Sequence, residues 1–228
     1  DEMEARGFGE LLCTSQSDGL RHLFDCITEC KKDNGPGTKD LDVEKTKYVG
    51  MIGAGLMGGG IATVLADKEM IVRLQDIDPK GIQAALNYAK KHFGKGIKKR
   101  YLSQEEFNQR MERISGTTEY LGFGLMDVVI EAVPENLELK QKILRDVEEF
   151  AEKSGREIIF ASNTSSLPIS EIALQAKYPE RVIGMHFFSP VENMQLVNGL
   201  SLSMLMSHFS HQLFPVLSVI LKNINWIC

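Results

Sequence analysis

Three glycines at the end of an apolar strand constrain this chain more than any other feature. Residues 48–62 read YVGMIGAGLMGGGIA, an apolar run that predicts a buried parallel strand, followed by a turn and a segment with helical spacing. Gly53, Gly55 and Gly58 fit the pattern G-x-G-x-x-G. In that pattern the glycines permit a tight turn, close approach of an anion to the backbone, and close packing of helix on strand. The segment therefore predicts a pyrophosphate site at a helix N-terminus.

A second apolar strand ends at Asp76, 18 residues after Gly58. Dinucleotide-binding folds place a carboxylate about 20 residues after the glycine turn, where it accepts hydrogen bonds from the adenosine ribose. A carboxylate there would repel a 2′-phosphate, so the expected cofactor is NAD rather than NADP. The alternative is a glycine-rich turn followed by an ordinary surface aspartate. The agreement of strand, spacing and acid favours the dinucleotide site.

Strands and helices alternate from residue 46 to about residue 198, which predicts an α/β fold. We expect a Rossmann-type, doubly wound, mostly parallel sheet with helices on both faces. Ligands of such sheets lie beyond the carboxyl ends of the strands. The glycine turn, Glu135, the polar segment 162–166 and His186 all fall at predicted strand ends.

Composition narrows the classes of partner. Of the 228 residues, 43% are hydrophobic and the net charge is −5, which argues against a nucleic-acid partner. No apolar run is long enough for a transmembrane segment. Four cysteines without close pairing predict no metal site and favour a reducing compartment. A basic run over residues 90–100 is either a solvated face or a place that holds the phosphates of an acidic substrate.

Four motifs together resemble the NAD-binding domain of the L-3-hydroxyacyl-CoA dehydrogenases. They are GAGLMG at 53–58, VIEAV at 129–133, ASNTSSLPISEIA at 161–173 and GMHFFSP at 184–190. The resemblance is strongest to the alpha subunits of mitochondrial trifunctional proteins, in which a hydratase domain precedes the dehydrogenase. It implies NAD-dependent oxidation of L-3-hydroxyacyl-CoA to 3-ketoacyl-CoA in fatty-acid β-oxidation.

The resemblance also implies roles for individual residues. His186 is expected to be the catalytic acid/base, and Ser165 a hydroxyl that bonds the C3 oxygen of the substrate. Imidazole suits this chemistry because it exchanges protons near neutral pH. A satisfied core histidine and a serine that only caps a helix are the structural alternatives. The expected cofactor contacts are Gly53, Gly55, Leu56, Met57, Gly58, Asp76, Glu135 and Lys140.

The sequence departs from the family at residue 198. The family orients its histidine with a glutamate twelve residues later, where this chain has Asn198. An amide accepts a hydrogen bond from the ring but stabilises the imidazolium less well than a carboxylate, so a less effective base is expected. A second hypothesis is therefore an NAD-binding module of impaired catalysis.

The chain divides into three predicted parts. Residues 1–45 are a joining helix, ending near Lys31–Lys32, and a linker; residues 46–198 are the NAD-binding domain; residues 199–228 are a divergent tail. We expect a fragment that lacks the all-helical second domain. By resemblance, the predicted location is mitochondrial rather than peroxisomal, and a thiolase-type beta subunit is a possible partner.

Overall fold

The computed structural model describes residues 2–32, 46–194 and 197–201. The predicted linker and nearly all of the predicted tail lie outside these residues. In chain order the elements are α1 (Glu2–Leu12), α2 (Ser15–Lys32), β1 (Tyr48–Ile52), α3 (Leu56–Asp67), β2 (Ile71–Gln75), α4 (Pro79–Lys98), α5 (Gln104–Glu112), β3 (Ile114–Thr117), β4 (Val128–Glu131), α6 (Leu137–Ser154), β5 (Ile159–Ser162), α7 (Ile169–Ala173), β6 (Val182–Phe187) and β7 (Val197–Ser201).

The strands form one sheet in the order β3-β2-β1-β4-β5-β6-β7. The first six are parallel, and β7 pairs antiparallel with β6 at the edge. This confirms the predicted Rossmann-type fold. Because β1 lies between β2 and β4, the sheet changes its direction of growth at β1, and the carboxyl ends of β1 and β4 form the crevice where such folds bind ligands.

The core lies on both faces of the sheet. Along β4, the side chains of Val128 and Ile130 join one apolar cluster, whereas Val129 joins the other. Successive strand residues point to opposite faces, so the continuous apolar run of β4 is the pattern of a strand covered on both sides. The first cluster includes α3 and α4, and the second includes α6 and α7.

Local signals set the helix boundaries. Pro79 is the first residue of α4, and the side chain of Asp78 caps that helix by accepting from the Lys80 amide. Ser103 and Glu106 form the predicted capping box of α5. Helix α6 ends at Gly155 in the left-handed conformation, as the C-terminal glycine rule predicts.

Two elements differ from the expectation. The joining segment contains two helices: α2 is the predicted joining helix and ends at Lys32 as expected, whereas α1, which precedes it, was not predicted. The apolar side chains of Leu20, Leu23 and Phe24 on α2 remain exposed. The sequence analysis also missed β3, whose residues Ile-Ser-Gly-Thr lack an apolar run. Its Gly116 leaves room for Ile82, which a Cβ there would approach to 2.2 Å.

The glycine turn brings α3 onto β1 without an intervening side chain. A Cβ on Gly58 would lie 1.8 Å from the carbonyl oxygen of Gly53. Gly53 has φ +95°, and a Cβ there would lie 2.7 Å from the carbonyl oxygen of Ala132. Two of the three pattern glycines are thus required by packing and by backbone conformation.

We expect Gly58→Ala to destabilise the domain by about 3 kcal/mol or more, since backbone must move to admit the methyl group. Gly94→Ala in α4 is the matched control, because no atom lies within 4 Å of a Cβ there. It should be neutral or stabilise by up to about 1 kcal/mol. Urea unfolding of both variants measures the difference, and equal stability would contradict the packing role of Gly58.

Candidate functional site

The glycine turn presents open backbone at the start of α3. Gly55 is exposed and caps the helix, and no atom of the described residues lies within 4 Å of the position of a Cβ on it. The first N–H groups of a helix lack intrahelical partners, and they carry the positive end of the helix dipole. The side chain of Leu56 is exposed and that of Met57 is half-buried beside this opening. The arrangement suits a diphosphate that approaches the backbone closely.

Asp76 follows β2 and is hydrogen-bonded to the same turn. Its Oδ2 atom accepts from the Ala54 amide at 2.7 Å, and its Oδ1 atom accepts from the Asp78 amide at 2.9 Å. Each carboxylate oxygen has two lone pairs, so both oxygens can still accept from a ribose diol. Asp76 therefore fixes the turn and also faces the site.

A cleft of about 1060 Å³ opens beside this turn. Gly53, Gly55 and Asp76 line it, together with Val133 after β4 and the loop 118–122. A cleft of this volume, with an anion-binding turn and a carboxylate at its wall, fits a dinucleotide. The residues present therefore fit NAD.

A second polar group lies where β4 ends. Glu131 and Lys140 are each 0% exposed, and the Lys140 Nζ atom lies 2.7 Å from Glu131 Oε1. Lys140 also lies 3.3 Å from Glu135 Oε2. Glu131 accepts in addition from the Val133 amide and the Ser162 hydroxyl, both at 2.7 Å. We call Glu131, Glu135 and Lys140 the buried charge network, although one third of the Glu135 side chain, 33%, is exposed.

Glu135 connects this network to the serine loop, residues 162–166. Its Oε1 atom accepts from the Thr164 hydroxyl, from the amides of Ser165 (2.9 Å) and Ser166 (3.0 Å), and from the Ser166 hydroxyl. Burial alone would raise the pKa of Glu135. The donors of the serine loop and the nearby ammonium outweigh burial and lower the pKa to about 2.

The serine loop is also tied to the strand that carries His186. The Asn163 Oδ1 atom accepts from the Phe187 amide at 2.9 Å, and β5 pairs with β6 directly before this contact. Ser165 is exposed, and within the described residues its hydroxyl makes no hydrogen bond. The structure therefore brings the Ser165 loop and the His186 strand together at the carboxyl edge of adjacent strands.

His186 is half-buried near the end of β6, and its ring packs edge-on against Phe188 at 4.9 Å between centroids. Its Nδ1 atom is buried and has no hydrogen-bond partner among the described residues. In the antiparallel register, His186 pairs directly with Asn198 of β7. The residue at which the sequence departs from the family thus occupies the position directly across from the histidine.

The predicted site residues therefore form two groups. Gly53, Gly55 and Asp76 line the cleft, whereas Lys140, Glu135, Ser165 and His186 lie outside its lining. Lys140 is bonded within the protein. The side chains of the basic run, namely Lys90, Lys91, Lys95, Lys98, Lys99 and Arg100, are all exposed.

Sequence reasoning missed three residues that organise this edge: Glu131, Asn163 and Thr164. Glu131 had a visible signal, because an acidic residue inside the apolar run VIEAV must find a partner when it is buried. Asn163 and Thr164 had none, since polar residues in a loop need no special explanation.

Among the described residues, no group of three or more histidine, cysteine or acidic side chains could hold a metal ion. Two histidines of the predicted tail, His208 and His211, lie outside the described residues. No helix in the described ranges has the length and apolar character that crossing a membrane requires.

Comparison with known proteins gives consistent results. The family described as 3-hydroxyacyl-CoA dehydrogenase, NAD binding domain, matches residues 48–200. An (S)-3-hydroxybutyryl-CoA dehydrogenase from Ralstonia eutropha is 31% identical, with a TM-score of 0.70, 80% of this chain covered and 62% of that one.

Two further structures are similar. A 3-hydroxybutyryl-CoA dehydrogenase from Escherichia coli is 27% identical, with a TM-score of 0.66, 78% of this chain covered and 37% of that one. The dehydrogenase part of a multifunctional enzyme from C. elegans, 20% identical, shares the fold with a TM-score of 0.70, 88% of this chain covered and 47% of that one. The chain thus spans less than two thirds of the length of these structures.

The lowered pKa of Glu135 predicts an acid-dependent loss of stability. A carboxylate whose folded-state pKa lies below the unfolded value stabilises the fold fully above the unfolded pKa, about 4.3. That contribution is lost as the pH falls toward 2. At pH 7 we expect Glu135→Gln to cost about 1 kcal/mol. The difference in the free energy of unfolding between wild type and variant, measured in urea, should decrease as the pH falls from 5 to 3. A difference that is independent of pH would contradict this.

Proposed function

Because this chain belongs to the family of 3-hydroxyacyl-CoA dehydrogenase NAD-binding domains, we propose that it serves the NAD-dependent oxidation of L-3-hydroxyacyl-CoA to 3-ketoacyl-CoA. The observation that carries the proposal is the hydrogen bond from Phe187 to Asn163, which joins the histidine strand to the serine loop. The serine loop follows β5 and His186 lies near the carboxyl end of β6, in the sheet that also bears the dinucleotide turn. The similar R. eutropha and E. coli proteins are both hydroxybutyryl-CoA dehydrogenases, which supports this substrate class.

In this proposal the glycine turn and Asp76 hold the cofactor. The α3 N-terminus binds the diphosphate, and the Asp76 carboxylate accepts from the ribose diol. Leu56 and Met57 flank the diphosphate, and Glu135 lies toward the nicotinamide half, as the resemblance implies. NAD, when bound, supplies the acceptor for the hydride that leaves C3 of the substrate.

His186 removes the proton of the C3 hydroxyl as the C3–H bond breaks, so the alcohol loses one hydride and one proton and becomes a ketone. The Ser165 hydroxyl, which is exposed, donates to the C3 oxygen and holds it beside the imidazole. In the reverse reaction His186 returns the proton to the C3 oxygen, and Ser165 again holds that oxygen. Removal of either side chain should lower turnover more than it lowers cofactor affinity.

We further propose that the reaction belongs to mitochondrial fatty-acid β-oxidation and that a thiolase-type beta subunit is a partner. Both follow from the resemblance of the motifs to trifunctional alpha subunits. A thiolase would consume the 3-ketoacyl-CoA that this reaction forms. The exposed basic run on α4 is where the phosphates of a CoA ester would find positive charge.

A second candidate function is NAD binding without appreciable turnover. The register of β7 favours it, because the position paired with His186 holds an asparagine. An amide cannot supply the negative charge that stabilises a protonated imidazole. The two candidates share the cofactor site and differ only in the chemical step.

NAD affinity tests the cofactor site. We expect NAD to bind more tightly than NADP. Asp76→Asn should lower the affinity for NAD about tenfold and reduce the difference in affinity between NAD and NADP. The asparagine keeps an oxygen for the Ala54 amide and loses the acceptor of the Asp78 amide, so urea unfolding of the variant accompanies the titration. Glu119→Gln, another acidic residue of the cleft lining, is the matched control and should change the affinity little. Equal NAD and NADP affinities in titration calorimetry would overturn the assignment of Asp76.

Reduction of acetoacetyl-CoA by NADH separates the two functions. We expect slow oxidation of NADH by the wild-type chain and an increase of about 10²-fold in kcat for Asn198→Glu, if the carboxylate restores the base. Asn193→Glu places the same charge at an exposed nearby position and should leave kcat unchanged. His186→Gln should abolish the gain. No turnover in either Asn198 form, with NAD binding intact, would favour the binding module.

A further inference from the structure

Lys140 places a charge in the interior of the domain, next to the serine loop. It lies in the first turns of α6, 0% exposed, and its partner Glu131 at the end of β4 is equally buried. Removing two charges from water is costly, and replacing such pairs with apolar residues often preserves or increases stability. The pair therefore calls for an explanation beyond packing.

Lys140 hydrogen-bonds to one carboxylate, Glu131, and forms an ion pair with a second, Glu135. Its Nζ atom contacts Glu131 at 2.7 Å, the Val133 carbonyl at 3.4 Å and Glu135 at 3.3 Å. These contacts match the three donors of an ammonium group. Glu131 is fixed to β5 through the Ser162 hydroxyl, whereas Glu135 follows β4 and reaches across to the serine loop.

Glu135 alone gathers the donors of the serine loop. One oxygen accepts from two consecutive amides and two hydroxyls, and the other faces Lys140. Because the Lys140 ammonium holds the Oε2 atom of Glu135, the Oε1 atom points toward the serine loop. The Ser165 amide is bonded to Glu135, and its hydroxyl is left to other partners. The orientation of that hydroxyl thus depends on a charge buried two contacts away.

We propose that Lys140 is a positioning residue, which orients the Glu135 carboxylate and through it the Ser165 hydroxyl. The resemblance implies a cofactor contact for Lys140, but its side chain is 0% exposed, so in this role it acts through Glu135. The inference rests on the proposed function for the task of Ser165, but the loop geometry that it predicts is independent of turnover.

The test compares Lys140→Met with Lys140→Met/Glu131→Gln in the full chain. The single variant leaves Glu131 buried and unpaired and can unfold. The double variant removes both charges, and its glutamine keeps an oxygen for the Val133 amide while its NH2 group can donate to the Ser162 hydroxyl. Lys153→Met, which breaks an exposed ion pair on the same helix, is the matched control. Amide hydrogen exchange by NMR reports the protection of Ser165 and Ser166, with Ile130 as the internal reference.

We expect the double variant to fold with a stability near wild type, yet to lose about tenfold protection at the Ser165 and Ser166 amides, the equivalent of one hydrogen bond to a charged group. Carbon-13 titration of Glu135 should show a higher pKa than in wild type. Lys153→Met should change neither value. Unchanged protection and an unchanged Glu135 pKa in a folded double variant would overturn the positioning role.

An activity measurement then separates the inference from the proposed function. If the wild-type chain reduces acetoacetyl-CoA, we expect the double variant to have a kcat about tenfold lower and an unchanged KM for NADH. A fall in NADH affinity with kcat unchanged would show that Lys140 serves the cofactor and would overturn the inference. If the wild-type chain shows no turnover, the proposed function fails, while the exchange data still decide the role of Lys140.

Discussion

The contact of α3 with β1 is the constraint on which the rest of this sheet edge depends. No side-chain carbon fits between Gly58 and the Gly53 carbonyl, so the helix begins directly on the end of the strand. Asp76 reinforces the turn from the neighbouring strand by accepting from the Ala54 amide. The segment after β6 also packs on this helix, since Val191 lies where a Cβ on Gly60 would come within 3.0 Å. The anion-binding turn and the histidine strand therefore contact the same helix.

Charge is distributed unevenly across the site. The cofactor side uses backbone amides and one aspartate, which need no buried countercharge. The other side places two glutamates and one lysine at the end of β4, and the hydrogen bonds of Glu135 extend that group into the serine loop. This group has a net negative charge beside the hydroxyl groups of the serine loop. The Glu135 carboxylate accepts from the amides of Ser165 and Ser166, which leaves the Ser165 hydroxyl to donate to a ligand.

The sequence predicted the features that depend on local periodicity or on a short motif. The doubly wound fold, the glycine turn, the start of α4 at Pro79 and the capping box of α5 all have such signals. Strand β3 was missed because its pairing with β2, rather than an apolar run, determines it, and α1 was missed because it has no buried apolar face. Burial of Lys140 was equally invisible, since a lysine on an amphipathic helix is normally solvated. Its partner Glu131, in contrast, could be recognised as an acid inside an apolar strand.

The pairing of β6 with β7 makes the distance in sequence between two strands part of the site. His186 and Asn198 are partners in this ladder, and side chains alternate between faces along each strand. Insertion or deletion of one residue in the connection from 188 to 196 would shift the register, so that a neighbour of Asn198 pairs with His186 and residue 198 belongs to the opposite face of the sheet. The length of that connection therefore encodes the environment of the imidazole as strictly as the identity of the residue does. Drift in the length of this hairpin is a route by which a chain of this fold can lose or regain its chemistry without a change at the histidine.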